Sequence, residues 1–125
     1  MSDALTKILI AEDDPFLSKI IGNRLREEGF FVDTASDGEE ALNMVGKGKY
    51  SLLMLDLIMP VKTGFEVLQE LKSSNNNTPA LVFTNLAQEE DRKEVLSLGA
   101  KGYYVKSDIA INDLVSTVKK FINAK

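Results

Sequence analysis

The sequence contains neither cysteine nor histidine, and these two absences remove whole classes of chemistry. Without cysteine there is no disulfide framework and no thiolate metal site. Without histidine there is no imidazole acid–base catalyst, no Ser-His-Asp triad and no ordinary zinc centre. Positive charge is also in short supply: 15 Lys and Arg stand against 19 Asp and Glu, a formal net charge of -4. Nucleic-acid backbones are gripped by clustered Lys and Arg, so direct nucleic-acid binding is not expected. No apolar run approaches a membrane span, and the opening MSDALTK has no signal-peptide core. The expectation is a cytoplasmic protein with no membrane contact, in which the Asn76-Asn77-Thr78 sequon carries no meaning.

What is present describes one domain covering residues 1–125: 44% hydrophobic and 27% charged residues are enough to bury a core. Two kinds of segment alternate along the chain. KILIA at Lys7 to Ala11 is a near-continuous apolar run, as in a strand buried on both faces. Asp14 then offers a helix N-cap with Pro15 at the first helical position. Leu17, Ile20, Ile21 and Leu25 form an apolar stripe that Gly29 ends. Further strands are expected at Phe30 to Ala35, Ser51 to Leu55, Ala80 to Phe83 and Gly102 to Val105. Helices are expected after each: one capped by Ser36 or Asp37, one carrying Phe65, Val67, Leu68 and Leu71, one from about Gln88 to Leu98, and one striped by Ile111, Leu114, Val115, Val118 and Ile122. Such alternation implies right-handed crossovers and a doubly wound α/β fold, with a five-stranded parallel sheet and five helices on its two faces.

Ligands of open parallel sheets bind beyond the carboxyl ends of the strands. Glu12, Asp13 and Asp14 follow the first strand, Asp56 the third, Thr84 the fourth and Lys106 the fifth, with Ser36 and Asp37 after the second. Singly, each has a plain reading as a cap or turn residue. Together they bring carboxylates, a hydroxyl and an ammonium to one edge. Two carboxylates about 4 Å apart repel by roughly 4 kcal/mol at an effective dielectric near 20, a cost relieved by protonation or by a cation. With only oxygen ligands on offer, a hard ion such as Mg²⁺ is the natural choice, in a site shared with a phosphate. A carboxylate bound in that way, beside a lysine and a hydroxyl, is suited to accept a phosphoryl group.

The segments ILIAEDDP, LDLIMPVKTG, VFT and GYYVK, in this order on these strands, resemble the receiver domains of two-component response regulators along essentially the whole chain. The resemblance implies a flavodoxin-like strand order 2-1-3-4-5. It implies Asp56 as phospho-acceptor, with a sensor histidine kinase or phosphotransfer protein as donor. Glu12, Asp13, Asp56 and the backbone carbonyl of Ile58 would hold Mg²⁺, and Lys106 would pair with the phosphoryl oxygens. Thr84 and Tyr103 would couple the site to a partner surface formed by the last two helices and the fifth strand. Tyr104 should point to the opposite face from Tyr103. Such a protein catalyses only its own phosphorylation and dephosphorylation.

Two positions depart from the family pattern. Asn85 stands where a small residue is usual, and is expected to cover Asp56 from donor and water. Ser107 stands where proline is usual. A cis bond before proline is inexpensive, whereas a non-proline cis bond costs about 3–4 kcal/mol, so Lys106–Ser107 is expected to be trans, with Lys106 still reaching the acids. Two rival readings remain. A phosphohydrolase with an Asp nucleophile usually carries a second acid two residues on, and that position is Ile58. A degenerate receiver, working as a phosphorylation-independent interaction module, would fit Asn85 and Ser107 but leave the full acid set without purpose. Gly46-Lys47-Gly48-Lys49 is followed by Tyr50 and lacks the phosphate-loop pattern. The chain stops at FINAK, so either a stand-alone regulator or an excised receiver is implied, and Met1 favours the former.

Overall fold

The computed structural model describes residues 6–124. Strands β1 (Lys7–Ala11), β2 (Phe31–Ala35), β3 (Leu52–Leu55), β4 (Ala80–Thr84) and β5 (Gly102–Val105) alternate with helices α1 (Pro15–Glu27), α2 (Gly38–Lys47), α3 (Gly64–Ser73), α4 (Glu89–Ser97) and α5 (Ile111–Asn123). All strand pairs are parallel, in the order β2-β1-β3-β4-β5. The doubly wound architecture and its strand order are those implied by the sequence.

The side-chain alternation of a strand sorts this sheet into two cores. Leu9, Leu53, Leu55 and Val82 face α2, α3 and α4, where Val45, Val67, Leu71 and Val95 meet them. Ile8, Ile10, Met54 and Phe83 face α1 and α5, where Ile21, Leu25, Leu114 and Val118 close the other side. Tyr103 packs with the first cluster and Tyr104 with the second, as consecutive strand residues should. Because β1 from Ile8 onward and β3 are covered on both faces, Ile8 to Ala11 and Leu52 to Leu55 are all apolar, which is why they lack the alternation of a half-exposed strand.

Local chemistry fixes where the helices begin. Asp14 accepts hydrogen bonds from the Phe16 and Leu17 amides, with Pro15 at the first helical position. Of the two candidates before α2, Asp37 is the cap, accepting from the Glu40 amide. Thr63 and Glu66 form a reciprocal capping box on α3. The boundaries differ from the sequence expectation by a residue at several ends, as fraying ladders do. β2 starts at Phe31 because the Phe30 amide is spent on the Leu25 carbonyl, closing the turn. Thr84 is the last residue of β4 rather than the first beyond it, and α4 runs one residue shorter at each end than expected, with Gln88 as its N-cap. Among the described residues, no helix is long and apolar enough to cross a membrane.

Candidate functional site

The sheet register sets the site. Ala11 and Leu55 are paired neighbours at the ends of β1 and β3, so the residues that follow them, Glu12 and Asp56, emerge side by side. The ladder continues past the strand ends: the Asp56 amide donates to the Ala11 carbonyl at 3.0 Å and the Glu12 amide to the Ala35 carbonyl at 3.0 Å. These bonds hold both backbones while the carboxylates face the same place. Both are buried, at 4% and 5% exposure, whereas Asp13 is open to solvent. Ligand oxygens of Glu12, Asp13 and Asp56 all lie within 4.8 Å of one another.

Lys106 crosses from the end of β5 to join them. Its Nζ lies 2.7 Å from Glu12 Oε1 and 2.9 Å from Asp56 Oδ2, with the Phe83 ring centroid at 5.7 Å. Among the described residues no peptide bond is cis, so Lys106–Ser107 is trans. The chain passes this point through a short 3-10 turn, Lys106–Asp108, and the lysine side chain spans the remaining gap. The electrostatics are coupled. Burial lifts the Glu12 carboxyl above its ordinary range, and neighbouring Asp56 adds to that lift, while hydrogen bonds from Lys106 and the Asp14 amide oppose it. Burial pulls the Lys106 ammonium down, but its bonds to Glu12 and Asp56 outweigh that and leave it raised. Three carboxylates against one ammonium leave two negative charges in excess. A hard divalent cation matches both that charge and the all-oxygen donor set.

Other expected site residues fall around this cluster. Asp14 is spent on capping α1. The Ile58 amide donates to Asp56 Oδ1 at 3.3 Å, which puts the loop from β3 to α3 in contact with the Asp56 carboxylate. Thr84 is fully buried, and its Oγ1 accepts from the Leu86 amide at 3.3 Å. The Tyr103 hydroxyl donates to the Leu86 carbonyl, so it is not simply in water. Burial, with Asp91 and Glu89 nearby, raises the pKa of its hydroxyl above the ordinary value. Leu86 therefore links Thr84 and Tyr103 through its two backbone groups. Sequence reasoning missed it, since a backbone linker leaves no mark on residue type. Asn85 is exposed beside them. A groove of about 360 Å³ is lined in part by Arg92, Tyr103, Tyr104 and Ile109.

The family model for the response regulator receiver domain matches residues 8–119. The probable transcriptional regulator ycf27 of Guillardia theta is 41% identical over 100 residues, which are 80% of this chain and 39% of that protein. The transcriptional regulatory protein CusR of Escherichia coli is 34% identical over 116 residues, 93% of this chain and 51% of that protein. The chain thus spans about half the length, or less, of these curated relatives. Among solved structures, the receiver domain of Francisella response regulator 1452 superimposes with a TM-score of 0.89 at 29% identity, covering 95% of this chain and 98% of that one. The Thermotoga maritima response regulator TrrA, in complex with Mg(2+)-BeF, gives 0.79 at 34% identity, covering 93% and 98%.

Proposed function

Because the chain belongs to the response regulator receiver domain family of two-component systems, we propose that it is a phosphorylation switch with Asp56 as its phospho-acceptor. The observation that carries this reading is the bridge of Lys106 between Asp56 and Glu12, with Asp13 alongside. A lysine held on the acceptor carboxylate is a ready ligand for the phosphoryl oxygens that arrive there.

Glu12, Asp13, Asp56 and the Ile58 carbonyl would hold Mg²⁺. Bound there, the ion supplies positive charge against the phosphoryl oxygens. Asp56 attacks the phosphorus of a phosphohistidine donor in line; the P–N bond breaks as the acyl phosphate forms. Lys106 releases its hold on Asp56 and pairs with a phosphoryl oxygen, which compensates the added negative charge. Thr84 then turns its hydroxyl toward the phosphoryl group, giving up the Leu86 amide and loosening the loop on which Tyr103 is latched. Water later cleaves the acyl phosphate and regenerates Asp56, so the chain acts on itself and on no separate substrate. Exposed Asn85, next to Thr84, would slow the approach of both donor and water.

The donor would be a histidine kinase or phosphotransfer protein in the cytoplasm. The downstream target would bind along α4, β5 and α5, where the groove beside Tyr103 and Tyr104 lies. With a net charge of -4, this region would not itself grip nucleic acid, even where relatives are transcriptional regulators. The test is intact-mass measurement after incubation with a small-molecule phosphodonor and Mg²⁺. The parent should gain one phosphoryl group and Asp56→Asn none. Labelling of Asp56→Asn at parental levels would remove Asp56 as acceptor, and no labelling of the parent would favour a phosphorylation-independent module.

A further inference from the structure

Val61 has φ 69°. A β-branched residue in the left-handed region is strained, and such backbone persists only where its surroundings enforce it. Here the Lys62 amide donates to the Pro60 carbonyl at 2.8 Å, closing a γ-turn around Val61. The Val61 side chain is 73% exposed, so burial of this residue does not explain the turn. The restraint comes from its neighbours. Pro60 fixes its own φ just before the turn, and Lys62 is clamped just after it.

The clamp has two parts. A Cβ on Gly38 would lie 2.2 Å from the Lys62 carbonyl oxygen, so the α2 N-terminus presses directly on the Lys62 backbone. The Lys62 ammonium sits between Glu39 of α2 at 3.3 Å and Glu70 of α3 at 2.5 Å. One residue thereby ties the loop to two helices. The loop is also closed at its base, where the Gly64 amide donates to the Leu57 carbonyl at 3.0 Å. Ile58 lies inside this closed loop, with its amide on Asp56 Oδ1.

We propose that Lys62 is a positioning residue for the cation site: its ion pairs with Glu39 and Glu70 hold the strained turn at Val61 and thereby fix where the Ile58 carbonyl points. This inference rests on the reading of Asp56, Asp13 and Ile58 as a Mg²⁺ site. Outer residues that orient metal ligands commonly affect affinity as strongly as some ligands do. The sign of the effect separates positioning from simple charge. A lysine acting only through space repels a cation, so its removal would strengthen Mg²⁺ binding. A lysine that positions a ligand makes its removal weaken binding.

Mg²⁺ titrations followed by amide chemical shifts of the whole chain test this, using Lys62→Met, Lys62→Arg and the Asp13→Ala control. Lys62→Met should bind Mg²⁺ about tenfold more weakly, with the Ile58 amide already displaced before Mg²⁺ is added. Lys62→Arg should recover most of the affinity. Should Lys62→Met fail to fold, Lys62→Gln removes the same ion pairs and the same positive charge with a polar side chain, and should weaken binding likewise. Affinity that is unchanged or tighter, in a folded variant, overturns the positioning role while leaving the cation site intact. A parent that binds no Mg²⁺, or an Asp13→Ala variant that binds like the parent, overturns the site reading and this inference with it.

Discussion

On the β1–β3 side of the carboxyl edge, fixed structure runs right up to the acids; on the side of α4 and β5 it thins out. Every residue of β3 is buried, α3 buries Val67, Leu68 and Leu71 and carries a capping box, and backbone hydrogen bonds continue past the strand ends to Glu12 and Asp56. Every residue of β5 is only half-buried. Helix α4 buries Val95 alone and has no side-chain cap at its N-terminus. In the loop between β4 and α4, Leu86 is tied to Thr84 and Tyr103 by single hydrogen bonds. Parts with few buried contacts open at lower free energy than the rest of a domain. On the proposed function, this contrast has a purpose: a stiff side keeps the carboxylates together against their repulsion, and a looser side is free to move for one new contact.

The contrast is open to direct attack by truncation. Leu53, fully buried in β3, should cost about 2–5 kcal/mol of stability as Leu53→Ala, since removing it leaves a cavity in close-packed surroundings. Leu86→Ala, on the looser side and half-buried, should cost about 1 kcal/mol. Urea unfolding measures both. Equal losses would mean that the two sides are anchored alike.

A smaller effect is expected of Thr84→Ala. It leaves the Leu86 amide without its acceptor, a loss of about 0.5–1.5 kcal/mol. Phosphorylation of Asp56 should proceed as in the parent, while the accompanying amide shifts in α4 and β5 shrink. If those shifts kept their parental size, coupling would run by another route and the loose side would not depend on this bond.

The smallest effect contrasts two tyrosines. Tyr50, just ahead of β3, donates to Asp33 Oδ2 at 2.7 Å, with the Lys7 ammonium 5.1 Å from its ring centroid. Burial, then the Asp33 carboxylate, pushes its ionisation up to about 12. Because the neutral form is favoured on folding, its contribution to stability is complete below the ordinary value of 10.0 and is lost as pH rises toward about 12. Asp33→Asn should lower the pKa of Tyr50, read by absorbance at alkaline pH, and leave Tyr103 as it was. A Tyr103 that moved with it would show that the two sides are not independent.

Much of this was legible in the residues themselves. Continuous apolar runs such as KILIA mark strands covered on both faces, and Asp14-Pro15 marks a helix start through local chemistry that needs no tertiary context, whereas the Thr63–Glu66 capping box was not read from the sequence. The acids, Thr84 and Lys106 were legible because each stands at the end of its strand, and a parallel sheet brings those ends together. Three features were not. The left-handed backbone of Val61 runs against its residue type and is imposed by contacts with α2 and α3. The grip of Lys62 on Glu39 and Glu70 joins residues far apart in the chain. The Leu86 link between Thr84 and Tyr103 uses backbone atoms, which every residue carries. The Lys106–Ser107 bond shows the reverse: the cost of a non-proline cis peptide pointed to trans, and the length of the lysine side chain keeps its ammonium on the acids.

The division of labour between the two sides is tested most directly by amide spectra of the whole chain with Mg²⁺, recorded before and after addition of beryllium fluoride as a phosphoryl mimic. Beyond the residues touching Asp56, the largest shifts should fall from Thr84 through α4 and β5, with β2 and the body of α2 nearly unchanged and Asp56→Asn unresponsive. Shifts spread evenly over both sides, or confined to the acid cluster, would contradict the account.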